Sequence, residues 1–320
     1  MEPNFDAAAY ITAFCARQGE RLRGEIVVAC VSGGCDSATA AALVHAAGAK
    51  VEPLFIDTGF LRSGEAAEVK ELLSSIGLGP LRVVEKQVEF LAAVEGKSVP
   101  AEKRTAFQET YFQCLTEYLE NQGVTRLVQG TQFYRGAKIY HNCPTESFLK
   151  KDFTLIEPVQ GLAKHSIHLL GKGLGLPEQV LSRKPFPGPG LLIRVGGEWT
   201  GAKAALIRRL TKTVDDYVTA RADAFSGCVQ IFPYLADGSA VTYVGPNGPA
   251  LGAVVLLRAV SRREAAGQLL HESFSPAPAV AAELTSLLME IPGVARVCLD
   301  LTSKLGQGER LQPGGTVEYQ

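Results

Sequence analysis

The residues best suited to chemistry lie in one short stretch, Ser-Gly-Gly-Cys-Asp-Ser at positions 32–37. An apolar, β-branched run over residues 25–31 precedes it and predicts a buried strand, and the alanine-rich segment that follows predicts a helix. Glycines at such a turn let the backbone approach a ligand, and a helix start presents free N–H groups and a positive dipole end. Ser32 and Ser37 add hydroxyl groups, and Asp36 is suited to hold a cation. We therefore expect a polyphosphate-binding loop with room for a metal ion.

This loop matches neither of two common phosphate-binding motifs. The chain has no G-x-x-x-x-G-K-S/T sequence, and no G-x-G-x-x-G follows the strand. The pattern S-G-G-x-D-S instead resembles the pyrophosphate loop of the N-type ATP pyrophosphatases, which cleave ATP between its α and β phosphates and adenylate a substrate oxygen. The alternative is an ordinary glycine-rich turn that ends in an Asp-Ser helix cap.

The elements that must position this loop alternate between strands and helices. Further strands are predicted at residues 51–59, 81–84, 126–131 and 155–158, and helices at 6–23, 61–76, 90–94, 100–120 and 164–174. The alternation predicts an α/β fold with a doubly wound parallel sheet, which binds ligands at the carboxyl ends of its strands. Three strand ends carry suitable residues: 32–37, Asp57-Thr58-Gly59 and Gln129-Gly130-Thr131. We expect them to line one site.

A proline- and glycine-rich segment, residues 183–191, predicts a stiff linker between two domains. The first domain would span residues 1–190 and a smaller α+β domain residues 191–320. The predicted elements of the second domain are a helix at 201–221, strands at 228–234 and 254–260 around a glycine-rich excursion, a helix at 278–289 and a strand at 294–301. Because these strands have few partners, we expect this domain to pair with a second copy, giving a homodimer.

Within the first domain, residues 132–152 lose all periodicity and are basic and polar. Such a segment beside a ligand-binding edge is expected to be a lid or a binding loop, the alternative being a solvated loop without function.

Composition excludes several classes of protein. The 320 residues are 46% hydrophobic and 20% charged, with a net charge of −1, which argues against a large basic surface for nucleic acid. No apolar run has the length of a membrane helix, and the first residues do not resemble a signal peptide, so a cytoplasmic protein is expected. Seven scattered cysteines without a C-x-x-C predict neither a disulfide framework nor a cysteine zinc site.

Several motifs together resemble the GMP synthase family. They occur in the family's order and comprise residues 32–37, Phe55-Ile56-Asp57-Thr58-Gly59-Phe60-Leu61-Arg62, Pro100-x-x-Lys103-Arg104, Gln129-Gly130-Thr131, Ile156-Glu157-Pro158 and Arg183-x-Pro185-Phe186-Pro187-Gly188-Pro189-Gly190-Leu191. The chain is similar to the ATP-pyrophosphatase subunit of the two-subunit, archaeal-type arrangement. The resemblance implies an adenine-nucleotide-hydrolase-like first domain and a dimerization domain after it.

The resemblance also implies a reaction and a set of site residues. ATP, with Mg²⁺, would adenylate the O2 atom of XMP and release pyrophosphate, and ammonia would then displace AMP to give GMP. Asp36, Lys164 and Arg183 would be catalytic, with Asp36 on the metal, Lys164 in contact with a phosphate and Arg183 near the second substrate. The residues that would bind ATP or its phosphates are Ser32, Gly33, Gly34, Asp36, Ser37, Phe55, Asp57, Gly59, Lys103, Gln129, Gly130 and Thr131.

The source of ammonia must be another protein or the solution. The first domain is occupied by the pyrophosphatase motifs, and the sequence has no G-x-C-x-G nucleophile turn of a glutaminase. We therefore expect a separate glutamine amidotransferase subunit, or free ammonia, to supply nitrogen.

The sequence departs from the family where the acceptor would bind. Segments 132–136 and 139–145 lack the family's acidic and Ser-His-His-Asn motifs, and residue 312 is glutamine where the family has a phosphate-binding lysine. Two alternatives therefore stay open. One is another acceptor, with sulfur transferred by Cys143, whose basic neighbours would lower its thiol pKa. The other is a regulator that binds ATP without turnover. His165, His168, His141 and Cys143 are a weaker pattern for a metal site.

Overall fold

The computed structural model describes residues 5–74, 76–131, 133–134, 137–138, 144–183, 186–238, 241–245, 248–265 and 268–301. Within these residues the chain divides into two compact units. The first comprises the described residues up to Gly59, Gly64–Ala93 and Thr105–Gly188, and the second comprises Phe60–Ser63, Val94–Arg104 and the described residues from Pro189 onward. Two short segments from the first half of the chain thus belong to the second unit. The predicted boundary between two domains at residue 190 stays a prediction.

The first unit contains a parallel sheet, as the alternation of elements predicts. Its strands are β1 Ile26–Cys30, β2 Lys50–Asp57, β3 Arg82–Glu85, β4 Arg126–Val128 and β7 Thr154–Ile156, with a separate antiparallel pair β5 Phe133–Tyr134 and β6 Ala137–Lys138. Among the described residues, five strands lie in the order β3-β2-β1-β4-β7, and every neighbouring pair is parallel. The predicted α/β fold is confirmed.

Helices connect these strands. They are α1 Ala7–Leu22, α2 Cys35–Ala46, α3 Glu65–Ser74, α4 Gln87–Val94, α5 Pro100–Gln122, α6 Glu146–Leu149, α7 Lys164–Gly173 and α8 Glu178–Leu181. Most lie where periodicity predicts a helix, whereas α6 and α8 are single turns too short to leave a periodic signal. In the described part of the chain, no helix is both long and apolar enough to cross a membrane.

The order of the strands places the predicted loop at a special position. From β1 the chain proceeds through β2 to β3 on one side, and then returns to place β4 and β7 on the other side. Val28 and Ala29 of β1 lie beside Leu127 and Val128 of β4. Open α/β sheets bind ligands outside the carboxyl ends of the two strands where the order reverses. Here those ends lead into residues 32–37 and Gln129.

Burial explains why β1 and α2 form as they do. Val27 and Val28 are fully buried on opposite faces of β1, as expected for a central parallel strand covered on both sides. In α2 several small and apolar side chains are also fully buried, among them Ala38, Ala40 and Leu43. A helix enclosed on several sides needs small residues to pack closely. The loop between β1 and α2 is therefore held at both ends by the core.

The second unit contains more sheet than the sequence predicts. Its elements are a 3-10 helix Gly190–Arg194, α9 Gly201–Ala220, a 3-10 helix Ala222–Phe225, β8 Cys228–Leu235, β9 Val241–Gly245, β10 Gly248–Ala265, β11 Gln268–Ser273, α10 Pro278–Met289 and β12 Val294–Asp300. The 18-residue β10 pairs with β8, β9, β11 and β12.

The prediction of an irregular, glycine-rich excursion over residues 234–249 is therefore wrong in part. It contains β9 and the start of β10, and Gly245 pairs with Gly248 next to the turn between them. The residues Val241, Thr242, Tyr243 and Val244 of β9 favour a strand, but the glycines and prolines at positions 245–249 favour a loop. The premise that these strands have few partners is also wrong, since the described residues form a five-stranded sheet. The homodimer stays a prediction.

The stretch 132–152, expected to be irregular, contains β5, β6 and α6. Phe148 of α6 is buried against Phe112 and Phe153, at ring distances of 5.1 and 5.3 Å. This aromatic contact arises from the fold and not from the local sequence pattern. His141 and Cys143, predicted as alternatives for metal binding or sulfur transfer, lie outside the described residues. The same is true of residues 302–320, which include the glutamine at position 312.

Candidate functional site

The loop at residues 32–37 ends β1 and begins α2. Gly33 has a φ of +74°, a conformation that favours glycine, and Gly34 is the N-terminal cap residue of α2. No side chain of the described residues caps this helix start, and the helical hydrogen bonds begin with Ala38 N–H to Gly34 C=O at 3.2 Å. The N–H groups of the first turn therefore lack helical partners. Together with the dipole they form a surface that favours an anion.

Backbone N–H groups of this loop donate hydrogen bonds to the hydroxyls of Ser32 and Ser37. The Ser32 N–H donates to Ser37 Oγ at 3.2 Å, and the Gly34 N–H donates to Ser32 Oγ at 3.4 Å. The two hydroxyls lie 3.3 Å apart, and Ser32 is exposed. These bonds are long, and a phosphate oxygen is a stronger acceptor for an N–H group than a neutral hydroxyl. The hydroxyls can rotate toward a phosphate, so the loop can exchange its internal bonds for bonds to a polyphosphate.

The end of β4 contacts the loop directly through Gly130. A Cβ atom at Gly130 would lie 2.6 Å from the backbone carbon of Asp36 and from the backbone nitrogen of Ser37. Only glycine lets these two backbone segments approach so closely. The predicted association of the β1 and β4 ends is therefore found in the first unit.

Two neighbours of Gly130 have buried polar atoms. Gln129 Oε1 and Thr131 Oγ1 have no hydrogen-bond partner among the described residues, and both side chains are almost fully buried. A buried acceptor without a partner costs about 1–3 kcal/mol, so such atoms often mark a ligand-binding position. Glu157 Oε1, which follows the adjacent strand β7, is also buried without a partner in this part of the chain.

The end of β2 is closed by its own hydrogen bonds. Asp57 accepts from the Gly59 N–H and from the Gln87 side chain, both at 2.9 Å. Phe55 is 3% exposed and packs in the core. The predicted roles of Phe55, Asp57 and Gly59 at the ATP site stay predictions, and the visible function of Asp57 is to shape the turn.

Asp36 and Lys164 meet at the start of α2. Lys164, the first residue of α7, donates from Nζ to Asp36 Oδ1 at 2.5 Å, and both side chains are partly exposed. An exposed ion pair is weak, so each partner can be redirected to a ligand at little cost. Magnesium typically binds one or two protein carboxylates together with substrate phosphates and water. Asp36 beside a phosphate-binding loop fits that pattern.

Arg183 lies against the loop. It donates from Nη1 to the Gly33 carbonyl at 3.1 Å and from Nη2 to Glu65 and Glu68 at 3.2 Å each. Glu65 is 3% exposed, whereas Glu68 is on the surface. The family resemblance predicts Arg183 near a second substrate, and no feature of the sequence indicates that Glu65 is its partner. An acidic residue in the first turn of a helix gives no hint of burial, because its partner is more than 100 residues away.

Lys103 belongs to the second unit. Its side chain is 1% exposed, and Nζ donates to the carbonyl of Val195 at 2.7 Å. Burial, assisted by the charge of Lys203 and opposed by Asp237, lowers the pKa of Lys103 to about 8. Its contact with phosphate stays a prediction, since its described polar contact is with a backbone carbonyl.

Cys35 is a packing residue, as the sequence indicates. Its side chain is 4% exposed, and its sulfur lies 3.8 Å from Thr39 Oγ1. Burial raises the pKa of the Cys35 thiol, with Lys164 opposing the effect. Among the described residues, no three His, Cys, Asp or Glu side chains cluster in a way that could hold a metal, and His165 is on the surface.

Three known proteins similar in sequence to this chain are named GMP synthase. A GMP synthase (glutamine-hydrolyzing) subunit from Methanoregula boonei is 33% identical over 92% of this chain and 93% of its own length. A GMP synthase (glutamine-hydrolyzing) from Thermomicrobium roseum is 32% identical over 99% of this chain, and a GMP synthase subunit from Sulfurisphaera tokodaii is 36% identical over 66% of it. The chain spans 61% and 60% of the lengths of these last two relatives.

Other comparisons add less. No protein-family model matches the chain. A solved structure of NMN synthetase from Francisella tularensis is similar over 68% of this chain and 87% of its own, with a TM-score of 0.44 and 16% identity. That similarity is too low to carry an argument about function.

Proposed function

This chain belongs to the GMP synthase family, and from that premise we propose that it is the ATP-pyrophosphatase part of a GMP synthase. It is an ATP-dependent ligase that forms AMP and amidates its acceptor. The observation that carries the proposal is the loop at residues 32–37, where N–H groups bind nearby hydroxyls that a polyphosphate can replace.

In the first half-reaction, an acceptor oxygen attacks the α phosphorus of ATP, and pyrophosphate leaves. Ser32, Gly33, Gly34 and Ser37 bind the departing pyrophosphate, because their N–H and hydroxyl groups converge at the helix start. Lys164 leaves its exposed pair with Asp36 and neutralises the developing negative charge. Gln129 and Thr131 border the nucleotide with their buried acceptors.

Asp36 would hold Mg²⁺ at this site. The ion, when bound, neutralises phosphate charge and makes pyrophosphate a better leaving group. Asp36 lies in the first turn of α2, next to the loop. The release of Asp36 from Lys164 then leaves one carboxylate for the metal and one ammonium for a phosphate.

In the second half-reaction, ammonia attacks the carbon that bears the adenylated oxygen. The bond between this carbon and the oxygen breaks, AMP leaves with the oxygen, and the attached nitrogen loses its extra proton to give the amino group of GMP. Adenylation is needed because oxide is a poor leaving group and AMP a good one. The acceptor is assigned to XMP from family membership. The ammonia is supplied by a glutamine amidotransferase subunit or by the solution, and we further propose a cytoplasmic homodimer.

An ATP–pyrophosphate exchange assay tests this proposal. The purified chain is mixed with ATP, Mg²⁺ and labelled pyrophosphate, with and without XMP. We expect exchange that requires XMP, and formation of GMP when an ammonium salt is added. Omitting XMP while keeping every other component is the matched control.

Other results would point to other functions. Turnover that needs a sulfide donor and is lost in Cys143→Ala would favour sulfur transfer, with Cys143 lying outside the described residues. ATP binding without turnover on any acceptor would favour a regulator. Absence of ATP binding would contradict the proposal as a whole.

A further inference from the structure

The contact between Arg183 and the Gly33 carbonyl has consequences for the phosphate loop. A trans peptide is planar, so its C=O and N–H groups point in opposite directions. The carbonyl of Gly33 is directed to Arg183, and the N–H of the same peptide, on Gly34, is therefore directed to the other side, toward Ser32 Oγ. The guanidinium thus determines which face of this peptide lines the loop.

This peptide can adopt the opposite orientation more easily than most. It joins two glycines, Gly33 at a φ of +74° and Gly34 at −80°. Rotating the peptide by half a turn would bring Gly34 to a positive φ, which glycine tolerates and other residues rarely do. The rotated peptide would present a carbonyl oxygen to the phosphates in place of an N–H donor. Such a loop would repel an anion.

Glu65 holds the guanidinium in place. Its carboxylate is 3% exposed, and a buried charge of this kind requires a partner of opposite sign. Arg183 provides that charge from Nη2 while Nη1 stays on Gly33. The arginine fork can serve both groups at once in fixed geometry, which a lysine ammonium cannot do in the same way. The exposed Glu68 adds a weaker contact.

The packing around Gly33 fits the same function. A Cβ atom on Gly33 would lie 2.1 Å from Arg183 Nη1 and 2.4 Å from Val69 Cγ2. The space that a side chain would fill is thus taken by the guanidinium and by a residue of the same helix as Glu65. Glycine at this position permits both the positive φ and the approach of Arg183.

We propose that Arg183, held by Glu65, is a positioning residue that keeps the Gly33–Gly34 peptide in the orientation in which the Gly34 N–H faces the phosphates of ATP. This inference rests on the proposed function, since it names how the loop of that site is held. It differs from a role near the second substrate, because Arg183 would act through its contact with the loop.

Binding measurements on three variants test the proposal. Arg183→Lys keeps the charge but loses the fork. Gly33→Ala displaces the guanidinium and also strains the positive φ, without changing any charge. If about nine in ten molecules then carry the rotated peptide, the affinity for ATP and for inorganic pyrophosphate falls about 10-fold. Binding of AMP, which lacks the β and γ phosphates, should change less than about twofold. Arg126→Lys is the control, because Arg126 pairs with Glu25 at 2.6 Å at the amino ends of the strands.

Two results would overturn the proposal. One is Arg183→Lys with unchanged affinity for pyrophosphate while Gly33→Ala is weakened, since a preserved charge would then suffice. The other is an equal loss for AMP and pyrophosphate, which indicates general damage. A crystal structure of ligand-free Arg183→Lys gives an independent readout: we expect a rotated or mixed Gly33–Gly34 peptide, and an unchanged peptide contradicts the proposal. If the wild-type chain binds no ATP, the proposed function fails, and this structure still decides the orientation of the peptide.

Discussion

Lys164 and Lys103 are both predicted from sequence to contact phosphate, yet they lie in contrasting regions. Lys164 begins α7 in the first unit, is half-exposed, and pairs with a carboxylate beside the phosphate loop. Lys103 lies in α5 within the second unit, is 1% exposed, and donates to a backbone carbonyl. The first ammonium can change partners in water at little cost. The second has lost its hydration and is held by its surroundings.

The contrast shows that a matching motif does not by itself make a charged group available. An exposed ion pair contributes about 0–1 kcal/mol to stability, so its function must be sought in binding. A buried lysine instead affects stability, because burial disfavours its charged form. We therefore expect substitution of Lys164 to lower activity, and substitution of Lys103 to change how stability depends on pH.

The largest expected effect concerns the exposed lysine. Lys164→Met should lower the rate of ATP–pyrophosphate exchange about 100-fold, because a charge that stabilises the departing phosphate is lost. Asp36→Asn should cause a loss of similar size through the metal site. The free energy of unfolding should change by less than about 1 kcal/mol in either variant. Exchange kinetics and urea denaturation measure the two quantities.

The matched control is Lys172→Met, which removes an exposed lysine from the last turn of the same helix. It should leave exchange unchanged. If Lys164→Met retained full exchange activity, the contrast between the two lysines would be lost.

An intermediate effect is expected where β4 meets the loop. Gly130→Ala places a methyl group 2.6 Å from backbone atoms of Asp36 and Ser37, which cannot rotate aside. Overpacking of this kind costs about 1–3 kcal/mol of stability, and the displaced helix start should also weaken ATP binding. Thermal denaturation and calorimetric titration with ATP would measure both.

Gly201→Ala in α9 is the comparison for that variant, because a Cβ there meets no atom of the described residues within 4 Å. Its stability should be equal or slightly higher, as alanine favours a helix over glycine. A Gly130→Ala protein with unchanged stability and ATP affinity would show that the close approach does not shape the loop.

The smallest effect on activity is expected for the buried lysine, whose substitution should change stability. The pKa of Lys103 is about 8 in the folded chain and has an ordinary value of 10.5, so between these values the unfolded chain binds more protons. The contribution of Lys103 to the free energy of unfolding therefore rises as the pH increases from about 8 to 10.5. Relative to Lys103→Met, the wild-type protein should gain up to about 3 kcal/mol of unfolding free energy across this window, because one pKa unit corresponds to about 1.4 kcal/mol.

Urea denaturation of both proteins at several pH values between about 7 and 10.5 measures this difference, with Lys172→Met as the exposed control. A difference that does not change with pH would contradict the burial argument. Loss of ATP affinity in Lys103→Met at unchanged stability would instead support the phosphate contact predicted from sequence.

Local sequence signals determined the part of the fold that positions the site. The β-branched run before residue 32, the two glycines and the alanine-rich segment predict β1, the loop and α2 because each signal acts within a few residues. Alternation of elements predicts the parallel sheet, and the sheet's geometry predicts that Gln129–Thr131 lies near the loop. The contact of Gly130 with Asp36 agrees with that expectation.

The hairpin β9–β10 was not predicted, because the glycines and prolines at positions 245–249 favour a loop although the β-branched and aromatic residues before them favour a strand. The length of β10 depends on pairing with four other strands, which the local sequence does not encode. The same holds for α6, whose Phe148 is fixed by aromatic partners elsewhere in the chain. A pattern reports periodicity, and these elements are stabilised by contacts that periodicity does not encode.

The sequence by itself determined where the loop between β1 and α2 lies and that glycines, hydroxyls and an acid are contiguous in it, a pattern that resembles the loop of the ATP pyrophosphatases. Only the tertiary structure decided what each distant charge does. Arg183 reaches Gly33 and Glu65 across more than 100 residues, while Lys103 is enclosed in the second unit. The physical reason is that burial and hydrogen-bond partners are set by the folded chain, and these set whether a charge binds a ligand, orients a loop or stays in the core.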